Sequence, residues 1–245
     1  MFTLNPSSFV RPAPAVCLLS FLVLGACEGG DAPPVTESPP GDPWTGCVEP
    51  CVEKDDVAST GFGRCAAHFL PAESTVEAGG YGHDDVHALV SGPPLGSTHV
   101  VSLGCGGSIV VDLGPEGAVD GPGADFVVFE NPFSVEFPEV GHVWVSEDGC
   151  EWRKFPCAAQ EALDGCAGRT PTSAVWAPDV ADWEPLAAGG DPFDLADLGL
   201  ERARFVRVVD ESAAFWSGLD GDWCDPGMGG KGGFDLDAIA VVNEG

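Results

Sequence analysis

Basic residues are scarce in this chain: 10 Lys and Arg stand against 39 Asp and Glu in 245 residues, a formal net charge of −29. A surface of that sign repels phosphate backbones, which excludes nucleic acid as a partner. Recognisable catalytic signatures are missing too. There is no nucleophile elbow, no phosphate-binding loop and no metalloprotease helix motif, so an enzyme of those classes is not expected. The acidic turns lack the alternating acids and closing Glu of an EF-hand loop. No internal repeat occurs, few stretches look helical, and no long apolar segment follows the N-terminal one, so a polytopic membrane protein is excluded.

What is present points to an all-β fold. Hydrophobic residues make up 44% of the chain, enough for a packed core, and Gly (34) and Pro (22) punctuate runs rich in Phe (14) and Trp (7). Short apolar runs at 99–103, 108–113, 125–129, 142–146, 152–155, 203–209 and 234–242 read as seven strands. In 108–113 the residues Ile109, Val111 and Leu113 share one face, whereas Phe126-Val127-Val128-Phe129 is apolar on both and suits a central strand covered twice. The expectation is a two-layer antiparallel jelly-roll sandwich with long loops over 97–245.

The N-terminus reads as a processing segment. Arg11 precedes an apolar run from Ala13 to Ala26 that is too short to span a bilayer comfortably. It closes on Leu24-Gly25-Ala26-Cys27, which resembles the lipobox of bacterial lipoproteins. That resemblance implies a signal peptide over 1–26, acylation of Cys27, and a membrane partnership through the lipid anchor. Glu28 is not the Asp that marks inner-membrane retention in the enteric pattern, so the outer membrane or cell surface is expected. Residues 27–46 are Gly, Pro, Ser, Thr and acid with little to bury, and read as a disordered tether. Residues 47–96 read as a cysteine-stapled extension of the sandwich. Of ten cysteines, Cys17 leaves with the signal and Cys27 carries lipid, and the eight remaining form an even set for disulfides in an oxidising compartment. Cys157 with Cys166, across a short loop, is the expected pair. Cys47 and Cys51 lack a matching Cys/His pair at zinc-finger spacing, so they read as disulfide partners instead.

Carboxylates flank the strands. Asp120, Asp125, Glu130 and Asn131 surround the run 126–129, and Asp235 and Asp237 stand two apart in the C-terminal strand. Adjacent carboxylates repel unless a cation lies between them, and calcium takes 6–8 such oxygens, so these six are the candidate metal ligands. With period 2, Asp125 and Asn131 share a face and Glu130 points away from it. Asp191 and Asp194 form a further acidic turn for a second ion, and Asp194 equally suits a cap for the turn that follows. For any single acid, a solvated carboxylate beside a turn is the commoner role. Trp216 and Trp223, beside Asp220 and Asp222, form a candidate sugar platform, although Trp is more often a buried anchor. His83 and His87 have metal-like spacing only within a helix, and the neighbouring glycines argue for a loop.

Taken in order, 102–108, 120–131, 145–149, 203–210 and 233–239 resemble bacterial cell-surface domains with a galactose-binding-like, or discoidin-like, jelly roll. The resemblance implies a non-enzymatic sandwich related to carbohydrate-binding modules, often holding structural calcium. The expected function is a lipid-anchored envelope module that binds a glycan or another surface protein. The other readings are a calcium-dependent polysaccharide hydrolase and a purely structural envelope protein.

Overall fold

The computed structural model describes residues 46–51, 61–96, 98–131, 139–157, 165–170, 185–212 and 233–244. Eleven strands occur among them: β1 Cys65–Leu70, β2 Val101–Ser102, β3 Ser108–Asp112, β4 Ala118–Val119, β5 Phe126–Glu130, β6 Gly141–Ser146, β7 Arg153–Lys154, β8 Asp191–Phe193, β9 Arg202–Ala203, β10 Phe205–Asp210 and β11 Asp235–Val241. They form a five-stranded sheet, β1-β3-β10-β6-β7, a four-stranded sheet, β2-β11-β5-β8, and a small β4-β9 pair. Every pairing is antiparallel, and β6 with β7 is the only pair adjacent in sequence. The chain therefore crosses between the two sheets repeatedly, which is how a jelly roll is wound. Two short helices, α1 Glu73–Ala78 and α2 Val86–Leu89, lie between β1 and β2.

Alternation along the strands builds the core. Ile109 and Val111 of β3, Val143 and Val145 of β6, and Val206 and Val208 of β10 face inward. They meet Val101, Phe126, Val128, Phe193, Leu236 and Ile239 of the other sheet. Phe126 stacks on Phe193 with ring centroids 5.2 Å apart, and Phe155 packs edge-on to both. Full burial of each large apolar side chain contributes roughly 1.5–3 kcal/mol. The opposite faces are covered as well. Val127, Phe129, Ala238 and Ala240 form one outer cluster, with Phe62 and Ala188 against it. Val48, Val110, Trp144, Trp152, Phe205 and Val209 form the other. Strand β5 is thus covered on both faces, as its unbroken apolar run requires.

All seven expected strands are present, and β1 adds to them. It lies before Ser97 and pairs with β3, with a bulge between Ala66 and His68, so the sandwich draws one of its edge strands from the 47–96 segment. Three disulfides staple that region and the next. Cys47–Cys150 places Val48 on the outer cluster, Cys51–Cys65 ties the strand edge, and Cys157–Cys166 closes the short loop. Cys105 is disulfide-bonded too. No helix among the described residues is long and apolar enough to cross a membrane.

Candidate functional site

The acid excess has a structural use that the sequence did not announce. Buried aspartates at strand ends accept hydrogen bonds from the backbone of neighbouring loops. Asp112 takes Gly114 N at 2.8 Å and Cys51 N at 3.1 Å, and receives both guanidinium bonds of Arg204 at 2.9 and 3.0 Å. Asp125 takes Gly121 N, Leu195 N and Asn243 Nδ2 at 2.9, 2.7 and 2.8 Å. Asp191 holds Arg169 N and Thr170 N, and Asp237 holds Leu95 N and Gly96 N. Asp210, fully buried, takes Gly106 N, Phe234 N, and both the amide and the hydroxyl of Ser212. Charge-assisted bonds of this kind are about twice as strong as neutral ones, so each carboxylate anchors a loop that would otherwise bury unpaired N–H groups.

The acids also gather into two groups, and β5 separates them. Asp125 stands at its start and Glu130 at its end, roughly 16 Å apart at about 3.3 Å per residue. The six candidate ligands therefore do not converge on a single ion. A second physical reason divides them: β11 carries a bulge between Leu236 and Ala238, which turns both Leu236 and Ile239 to the core and leaves Asp237 to the 95–96 turn rather than beside Asp235.

At the first end, Asp120 follows β4, Asp125 precedes β5 and Asp194 follows β8. One carboxylate oxygen from each lies within 4.8 Å of the others. Calcium–oxygen bonds of about 2.3–2.6 Å put two ligands of one ion no more than about 5 Å apart, so the spacing and the hard-oxygen chemistry both fit. Asp194 also caps the 3-10 turn Leu195–Leu198, accepting Ala196 N at 2.9 Å. The other three-ligand group, Cys51, Cys65 and Asp112, contains a disulfide and does not offer thiolates.

At the second end, Glu130 continues the inward row of Phe126 and Val128, and Asp210 continues that of Val206 and Val208. Both close the sandwich end between the sheets, and neither is exposed to solvent by more than 3%. Glu139, just before β6, accepts Gly233 N at 2.8 Å and lies near enough to Glu130 for its negative charge to add to the effect of burial there. Gly233 has φ 104°, and a Cβ there would meet the Gly104 carbonyl carbon at 2.7 Å, so only glycine brings this backbone close enough. Burial first, then the nearby Asp235, pushes Glu139 up to about 9. Burial pushes Asp235 up to about 7 and Asp210 up to about 6, and raises Glu130 well above the usual range, with Glu139 and Asp235 adding to it. Raised carboxyls invite comparison with a glycosidase pair, but those stand roughly 5–9.5 Å apart around a sugar. Glu130 is instead fully buried, unlike a carboxylate that lines an open sugar cleft.

Sequence reasoning named Asp120, Asp125, Glu130, Asn131, Asp235 and Asp237, and missed Glu139 and Asp210. A strand-terminal acid following a β-branched run was the available signal for Asp210; Glu139 carries no such local signal and is placed there by tertiary structure alone. Asn131 donates its backbone N–H to the Asp235 carbonyl at 3.1 Å. His83 and His87 do not share a site: His83 Nε2 meets the Ser102 carbonyl at 2.8 Å within a turn, and His87 is on α2. Cys27, Trp216, Trp223, Asp220 and Asp222 lie outside the described residues. No protein-family model, no curated protein and no solved structure matches this chain.

Proposed function

We propose that this chain is an exported, lipid-anchored module of the outer membrane or cell surface, non-enzymatic, whose sandwich is stabilised by calcium and recognises a glycan or another envelope protein. The observation that carries the calcium part is the convergence of Asp120, Asp125 and Asp194 at one end of β5. An ion there would take carboxylate oxygens from three separate connections and cross-link them, which is how calcium stiffens loop-rich sandwiches. The disulfides support an oxidising compartment, and the lipobox-like Leu24-Gly25-Ala26-Cys27 supports the anchor. A galactose-binding-like relationship rests on the order of motifs along the sequence and on a winding consistent with it. Trp216, Trp223, Asp220 and Asp222 remain the proposed ligand contacts.

The test is thermal unfolding of the full-length chain in calcium and in chelator. A ligand that binds only the folded state raises apparent stability, by about 2.7 kcal/mol at a hundredfold excess over Kd. The expected outcome is a calcium-dependent rise in Tm that shrinks in Asp120→Asn, whose exposed side chain serves no clamp. An unchanged response in that variant refutes this ion site, and retention on no member of a glycan panel refutes glycan recognition.

A further inference from the structure

One end of the sandwich gathers both ends of the connection between β10 and β11. At its start, the N–H and hydroxyl of Ser212 donate to Asp210; at its finish, the N–H groups of Gly233 and Phe234 donate to Glu139 and Asp210. The β2–β3 turn is held at the same spot, with Gly106 N donating to Asp210 at 2.9 Å and Leu103 N to the Phe234 carbonyl at 2.9 Å. Gly233 lies directly against this turn, since a Cβ there would stand 2.9 Å from Cys105 N. Cys105, half-buried on the turn, is disulfide-bonded. The pairs Cys47–Cys150, Cys51–Cys65 and Cys157–Cys166 use six other cysteines, which leaves Cys17, Cys27 and Cys224 as partners for it.

We infer that Cys105 is joined to Cys224, and that this bond fastens the β10–β11 connection to the β2–β3 turn. Under the proposed export and lipidation, on which this pairing rests, Cys17 leaves with the leader and Cys27 carries lipid on its sulfur, so neither has a thiol to offer. Cys224 lies outside the described residues, but it stands nine residues before Gly233 and twelve after Ser212 in sequence, and both of those residues are held beside Cys105. At about 3.3–3.6 Å per residue the nearer end alone gives a reach of roughly 30 Å, ample for the roughly 4.4–6.8 Å between Cα atoms that a disulfide requires. In forming the bond the two thiols give up two protons and two electrons to the disulfide of a thiol oxidant in the oxidising compartment, which becomes a dithiol. Residues 213–223 then close into a ring, fixed at Ser212 by Asp210 and at Cys224 through Cys105, whose neighbour Gly106 is held by the same carboxylate. The proposed ligand contacts Trp216, Asp220, Asp222 and Trp223 all fall within that ring. Fixing both ends lowers the ordering cost that a ligand would otherwise meet.

Peptide mapping of the full-length exported protein, digested without reduction, decides the pairing. The expected product joins a peptide containing Cys105 to one containing Cys224 and separates on reduction. Cys105 joined to Cys17 or to an unacylated Cys27 would overturn both the pairing and the lipidation it rests on. Cys105 joined across two chains, or carrying a free thiol, beside an acylated Cys27 would overturn the pairing alone. Hydrogen exchange checks the anchoring. In Cys105→Ser with Cys224→Ser, amides of 213–223 are expected to exchange about tenfold faster than in wild type or more, while those of β3 and β10 stay as slow as before, which shows that the fold survives. Equal exchange over 213–223 in the two proteins would overturn the anchoring role.

Discussion

Replacing Asp125 by Ala tests whether the buried acids are structural anchors before they are anything else. The carboxylate is fully buried and collects Gly121 N from the β4–β5 loop, Leu195 N from the 3-10 turn and Asn243 Nδ2 after β11. Truncation leaves two backbone N–H groups buried without an acceptor, at about 1–3 kcal/mol each, and removes charge-assisted bonds as well. The expected loss is roughly 3–6 kcal/mol, a large share of the roughly 5–15 kcal/mol that holds a typical domain together. Asp125→Asn keeps the shape but turns one amide NH2 toward a donor, so about half that loss is expected. The assay is urea unfolding followed by Trp fluorescence with disulfides intact and chelator present, so that no ion contributes. Asp120→Asn is the control: its exposed carboxylate should change stability by no more than about 0.5 kcal/mol under the same conditions. An Asp125→Ala protein within about 1 kcal/mol of wild type in chelator would show that the carboxylate does not clamp these loops, and the anchoring argument would fall.

Two other outcomes follow from the same geometry. Burial, with Lys154 nearby, pushes His142 down to about 4, so the unfolded chain binds the extra proton first and stability falls as pH drops from about 6.5 toward 4. Glu211, whose Oε1 is 3.4 Å from His142 Nδ1, favours the charged form and partial solvent contact screens the effect, so a loss of about 1–2 kcal/mol is expected rather than the full value of the shift. His142→Gln should flatten that acid limb in a pH series of unfolding midpoints, and an unaltered limb assigns it elsewhere. Removing Cys47–Cys150, with a sequence separation of 103, should destabilise more than removing Cys157–Cys166, with a separation of 9. Chain entropy gives roughly 4.7 against roughly 2.7 kcal/mol, and paired Cys→Ser variants ranked in the reverse order in denaturant would contradict it.

The strands that were legible are those with dense β-branched or aromatic runs, such as Ile109-Val110-Val111 and Phe126-Val127-Val128-Phe129. Those that were not have weak local signals. Strand β1 reads Cys-Ala-Ala-His-Phe-Leu, without a β-branched residue, and owes its form to pairing with β3 and to Cys65 being held by Cys51. Strand β8 contains Pro192, which sequence rules demote; it is tolerated because β8 lies at the edge of its sheet, where the missing N–H breaks no ladder. Strands β4 and β9 are two residues each, too short for any periodicity to register.

Fold class, the positions of the seven main strands and the cluster of acids around them were determined by sequence alone, because apolar periodicity and turn residues act locally. Which acids meet was decided only by tertiary structure. Asp194 joins Asp120 and Asp125 because β8 pairs with β5, a contact that spans much of the chain. Asp237 leaves Asp235 because a bulge adds one residue to β11, and Glu139 comes near Glu130 because the two sheets close on the same end. A carboxylate's role depends on the donors and charges that surround it, and in a sandwich wound back and forth between two sheets those neighbours come from distant parts of the sequence.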